Sequence, residues 1–153
     1  MRTGPIRFSL SAVFAVAAVV VACGGGGGDD PIRQGRGVYG DVCSACHGDA
    51  GQGGVGPTLA AVRETFPSCS DQIEWVALGS EGWRATHGDT YGATVKPVQG
   101  GMPAHAEALE PDEIAAVVAF ERVRYGGGES ASVLADCGLA PAGSHPPQRL
   151  LRP

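Results

Sequence analysis

The sequence predicts an all-α domain, and three observations carry that prediction. No stretch alternates convincingly between apolar and polar residues with period two. Pro111-Asp112-Glu113 opens a segment in which Ile114, Val117, Val118 and Glu121 recur at helical spacing, flanked by Phe120 and Val123, and Gly126 closes it. Helix-start chemistry also stands ahead of two earlier segments, as Asp30-Pro31 and as Ser68, Ser70 and Asp71.

In chain order, Asp30 is a good N-cap and Pro31 a good first helical residue, so a helix is expected over about Pro31 to Val42. Gly35, Gly37 and Gly40 would each cost an isolated helix about 1 kcal/mol relative to alanine, which implies that something packs close against it. Asp49 to Gly56 is a glycine-rich loop, and Pro57 to Phe66 has room for a short helix. Ser68, Ser70 and Asp71 precede Ile73-Glu74-Trp75-Val76-Ala77-Leu78, with Gly79 as the stop. Gly82 to Gly101 shows no sustained period, and Gly126-Gly127-Gly128 leads into a tail of little pattern. There is no internal repeat.

The N-terminus reads as an export signal. Arg2 and Arg7 form a positive start, and Phe8 to Ala22 is an apolar run broken only by Ser9 and Ser11. At 15 residues the run is shorter than the roughly 20 that a spanning helix needs, although a short retained anchor is the alternative. Val20-Val21-Ala22-Cys23 resembles a bacterial lipobox, which would make Cys23 the lipidated N-terminus of the mature chain. The glycines from Gly24 to Gly28 suit a flexible tether. An ordinary secretory cleavage nearby, with Cys23 incidental, is the competing reading. The expected organisation is a signal peptide over 1–22, a lipidated tether over 23–30, a folded domain over 31–126 and a tail over 127–153. The formal charge is −5. Residues 1–22 carry two arginines and no acid, so their removal leaves nine basic against sixteen acidic residues, a net of −7. An acidic chain of this kind argues against a nucleic-acid partner.

The most specific motif is Cys43-Ser44-Ala45-Cys46-His47. Two thiols two residues apart can reach both vinyl groups of one porphyrin, and the next residue then points an imidazole at the iron. Cys43 and Cys46 are therefore expected to form thioethers to haem c, with His47 as the proximal iron ligand. A thioredoxin-like redox pair would not need the histidine. A zinc site would need a second close ligand pair, which the sequence lacks.

Around that motif the sequence resembles the class I, mitochondrial-type, cytochrome c family. The pattern Gly35-x-x-x-Tyr39-x-x-x-Cys43-Ser44-Ala45-Cys46-His47-Gly48 carries the likeness, which extends over about residues 31–126. It implies a small helical domain wrapped around one covalent haem. It also implies that the last helix crosses closely at Gly35, with Phe120 as the aromatic that packs there. Gly56-Pro57-Thr58-Leu59 matches another family element. The resemblance gives Pro57 the carbonyl that accepts the proximal histidine's second N–H, and gives Leu59 a place packed on the haem.

Met102, in Gly100-Gly101-Met102-Pro103, is the expected sixth ligand. It is the only methionine besides Met1, it precedes a proline in an irregular stretch, and family members place their axial methionine similarly. His87 and His105 are the alternatives, read otherwise as surface residues, and His145 lies in the tail. Thioether ligation favours ferrous iron and raises the potential relative to a bis-histidine site. Trp75, Trp83 and Tyr91 are candidates to line the haem or to serve as plain core, and Arg84 and Lys96 to meet its propionates or to be solvated surface.

Two cysteines remain, Cys69 and Cys137, and an oxidising compartment favours a disulfide between them that would staple the tail. The function expected is that of a monohaem carrier of single electrons between redox protein partners, respiratory or similar. It would be held by its lipid at the periplasmic or other extracytoplasmic face of a bacterial membrane. The alternatives are a haem c subunit or electron-entry module of a larger oxidoreductase, and a haem enzyme or gas sensor with a labile sixth position.

Overall fold

The computed structural model describes residues 30–140 and Met1. The expectations placed on the signal segment, Cys23, the glycine tether and His145 lie outside the described residues.

Asp30 caps α1 (Pro31–Val38) by accepting the Ile32 N–H at 3.1 Å. The helix runs past the expected end. It passes through a π-helical turn, Tyr39–Cys43, directly into α2 (Ser44–His47), so the whole haem motif lies on one continuous helical rod. Gly48, at φ 79°, ends the rod in a conformation that favours glycine. In the region expected to hold a short helix, α3 covers Val62–Thr65.

The segment α4, Cys69–His87, is two helices in sequence rather than one. Ser68 caps its start by accepting the Asp71 N–H. Gly79 breaks it at φ 63°, where the sequence places the stop, but the chain resumes helix and continues to His87. The expectation of an irregular stretch from Gly82 is corrected accordingly. A two-residue antiparallel ladder follows, β1 (Thr90–Tyr91) against β2 (Lys96–Pro97), pairing Thr90 with Pro97 and Tyr91 with Lys96.

The last long helix, α5 (Pro111–Arg124), opens on a capping box in which the Glu110 and Glu113 side chains satisfy each other's backbone N–H groups. Every residue from Ile114 to Arg122 is buried, so α5 is the axis of the core. It crosses α1 at Gly35. A Cβ there would overlap the Ala116 carbonyl oxygen and stand 2.9 Å from the Phe120 Cβ. The tail is not patternless: Glu129 caps α6 (Ser130–Asp136) through the Ala131 and Ser132 N–H groups. Cys137, just after α6, is disulfide-bonded to Cys69 at the start of α4 across a Cα separation of 5.2 Å. The Arg122 guanidinium fills the same corner, donating to the Phe66 and Pro67 carbonyls and to Asp136. The tail therefore docks through a helix, a disulfide and a buried cation.

Candidate haem site

One cavity receives Cys43, Cys46 and His47 from the first helical rod, Pro57 and Leu59 from the following loop, and Met102 from the segment before α5. Each of these side chains is delivered by an identifiable backbone device.

On the proximal side, His47 sits in the last turn of α2, and its Nδ1 lies 2.9 Å from the Pro57 carbonyl oxygen. That oxygen is an acceptor only, so Nδ1 is the nitrogen that donates to it and Nε2 is the one left for a metal. The loop is folded back onto the helix by backbone bonds from Gly53 N to the His47 carbonyl and from Gly56 N to the Cys46 carbonyl. Gly56 admits the imidazole ring: a Cβ there would stand 2.9 Å from His47 Cε1. Tyr39 anchors the same corner, donating its hydroxyl to the Gly48 carbonyl at 2.6 Å while its ring packs on Phe120 and Tyr125.

The distal side is built on the break at Gly79. The chain from Met102 to Ala106 lies along the opened turn. Ser80 N donates to the Met102 carbonyl at 2.9 Å, Met102 N donates to Ser80 Oγ at 3.1 Å, and the backbone N–H groups of His105 and Ala106 reach carbonyls of Val76 and Ala77. The Met102 sulfur accepts the Trp75 indole N–H at 3.1 Å. Trp75 in turn stacks on Tyr91 with ring centroids 4.2 Å apart, and both rings line the cavity. Trp83 packs edge-on against Trp75 and donates to the Thr90 carbonyl.

Of the two cations considered for propionates, Lys96 lines the cavity, with its Nζ 2.9 Å from Thr65 Oγ1, whereas Arg84 is turned to the Val98 carbonyl. His87 is a surface residue beside Glu74. His105 is not at the surface. It is 8% exposed and lines the cavity, and its imidazole is pushed toward the neutral form by burial and by the nearness of His47.

Cys43 and Cys46 are not paired with each other in a disulfide. Burial, with smaller contributions from Glu121 and Cys46, pushes the Cys43 thiol up to about 12. A zinc site would need further close ligands, and no group of three or more such side chains stands together among the described residues. The donor set suits a porphyrin instead: an imidazole nitrogen and a thioether sulfur at one cavity, with two thiols beside the imidazole.

The cytochrome c family model matches residues 32–120, more than half of the chain. The chain belongs to the cytochrome c family. The family is generally one of electron-transfer proteins, membership implies covalently bound haem c, and the helical architecture above is the family's fold. The crystal structure of cytochrome cL from Hyphomicrobium denitrificans is similar at 26% identity with a TM-score of 0.42, covering 63% of this chain and 52% of that one. The chain thus spans about half the length of that cytochrome. No curated protein sequence gives a significant match.

Gln72 and Glu121 also face the cavity. Nothing in the sequence marks Gln72 as a site residue, and Glu121 stands there only as a member of the helical stripe. A carboxylic acid standing on the apolar stripe of α5 was the available signal.

Proposed function

We propose that this cytochrome is a membrane-tethered carrier of single electrons with one haem c. In this reading Cys43 and Cys46 would form the thioethers, and His47 and Met102 would hold the iron. The observation that carries it is the arrival of those four side chains, from two distant parts of the sequence, at one cavity.

The bound haem supplies a ferric/ferrous couple, and the protein orients and encloses it. Pro57 holds His47 in the tautomer that presents Nε2 and makes the imidazole a stronger donor. The Gly79 break fixes the backbone of Met102, and Trp75 fixes its sulfur. Leu59, Trp75 and Tyr91 make the cavity wall largely apolar, which would keep water from a bound haem iron.

Among the described residues no helix is long and apolar enough to cross a membrane. The tethering part of the proposal is supported by Cys23 and the glycine run that follows it. A lipid on Cys23 would hold the haem domain at the extracytoplasmic face of a bacterial membrane, within a short reach of redox proteins there. With the signal removed the chain is acidic, which suits protein partners rather than nucleic acid.

The test is a haem count and redox titration of the protein matured in a haem c-attaching host. One haem per chain that survives denaturation, cycling reversibly by one electron, is expected. Loss of the haem on denaturation would contradict the thioether assignment. Metabolic labelling with a fatty acid tests the anchor: the label should enter the wild-type chain and not Cys23→Ser.

A further inference from the structure

The cavity wall holds one acid that electron carriage does not by itself require. Glu121 lies on α5, is 5% exposed, and lines the cavity together with Cys43 and Gln72. Its Oε2 accepts the Gln72 Nε2–H at 2.8 Å. Gln72 is itself oriented from its other end, where its Oε1 faces an Nη1 of Arg122 at 3.3 Å. The Arg122 guanidinium serves the Phe66 and Pro67 carbonyls and Asp136, and so meets Glu121 only through the amide of Gln72. Glu121 is therefore held by a dipole, in a wall that would lie against the haem.

We propose that Glu121 is the proton-binding partner of the haem, taking up one proton when an electron enters and releasing it when the electron leaves. The proposal rests on the haem assignment made above. The balance is simple. A one-electron donor protein supplies the electron, which reduces the iron, and water supplies the proton. The single bond formed is the O–H of the Glu121 carboxyl, and the reverse reaction breaks it.

The driving force is Coulombic. The ferric site carries one more positive charge than the ferrous site, and a buried carboxylate feels that charge with little screening. Losing the charge on reduction disfavours the carboxylate and draws in a proton. Burial already pushes Glu121 up to about 8, with the Gln72 bond pulling it partly back, so the group stands where a modest change of field switches it near neutral pH.

The other titratable or charged groups around it do not duplicate this behaviour. Tyr39 and Cys43, from the first helical rod, are both pushed up by burial, and Cys43 ceases to titrate once it is a thioether. Arg122, beside it on α5, is ion-paired with Asp136 of α6. The same cavity is also lined by His47, Lys96 and His105. His105 is shifted down and titrates on the acid side of its ordinary range.

The experiment is a potentiometric titration of the holoprotein over about pH 6 to 9, read with redox-induced infrared difference spectra. The wild-type potential should fall as pH rises, with a slope approaching one proton per electron, about 59 mV for each tenfold change in proton concentration. Reduction should also bring up a carboxylic C=O band. Glu121→Gln should flatten the slope and lose the band. Gln72→Leu, which removes the hydrogen-bond donor, should keep the slope but move it to higher pH. A wild-type potential independent of pH would overturn the proposal, as would a slope unchanged in Glu121→Gln or a wild-type difference spectrum without the carboxylic band. Failure of the haem reading would look different, because the wild type would then carry no covalent haem to titrate.

Discussion

The carbonyl oxygen of Met102 stands 2.7 Å from where a Cβ on Gly79 would be. The break in α4 and the position of the expected distal ligand are thus one feature. Gly79 combines a positive φ with this close approach, so Gly79→Ala meets backbone strain and a clash with Pro103 and Ala104 together. We expect a stability loss of about 2–4 kcal/mol. A shift of the ferric spectrum toward high spin should accompany it, because the segment bearing Met102 must move. Chemical denaturation and the visible spectrum of one sample check both.

With Met102 as the proposed ligand, the Trp75 indole N–H on its sulfur would withdraw electron density from the iron and favour the ferrous state. Trp75→Phe keeps most of the ring packing against Tyr91 and removes the hydrogen bond. The reduction potential should fall by tens of millivolts while the protein stays low-spin. An unchanged potential would show that the bond gives way when the sulfur meets iron.

Two glycines of α1 should respond in opposite directions. Gly35→Ala places a methyl on the Ala116 carbonyl and should destabilise by about 2–3 kcal/mol, or force α1 and α5 apart. A Cβ on Gly37 meets nothing within 4 Å, so Gly37→Ala should stabilise by up to about 1 kcal/mol. Thermal unfolding of the two variants beside the wild type measures the contrast.

The docking of α6 rests on the Cys69–Cys137 disulfide and the Arg122–Asp136 pair. The disulfide closes a loop of 68 residues. Replacing both cysteines by alanine should cost about 4 kcal/mol on a chain-entropy account. Hydrogen exchange should show α6 opening before α5. A labelling experiment on unreduced, denatured protein should find neither Cys69 nor Cys137 free.

Glu121 also ties stability to pH. Its folded-state value is raised from 4.5 to about 8, so the folded state holds the proton more tightly than the unfolded chain. Its contribution is fully present below about pH 4.5 and is lost as pH rises through about 8. In ferrous holoprotein the unfolding midpoint should fall across that window, and Glu121→Gln should remove this part of the fall.

The proximal half of the site was legible in the sequence because it is local. Cys43 to His47 lie within one helical turn and a half, and Gly56-Pro57 returns to His47 within ten residues. The crossing of α1 and α5 was legible through the family resemblance, which gives Gly35 and Phe120 that role; the glycines alone implied only that something packs close. The distal half was legible as composition and through the family's placement of its axial methionine. Met102 stood out as a scarce residue, but nothing local showed that Gly79, read as a helix stop, would open a turn to receive it. His105 was read as surface because its burial depends on that same long-range docking. The stretch from Gly82 was read as irregular because its glycine and polar content hides a helix held by tertiary contacts such as the Trp83 indole on the Thr90 carbonyl. Glu121 was counted on the apolar stripe by its spacing, and only the packed neighbours reveal what an acid there faces.

The ligation of iron by both His47 and Met102 is the claim on which electron carriage depends. The most direct measurement is the near-infrared absorption of the ferric holoprotein. A methionine-sulfur-to-iron charge-transfer band is expected in low-spin wild type and should disappear in Met102→Ala. A high-spin wild-type spectrum, or a band that survives the loss of Met102, would contradict it.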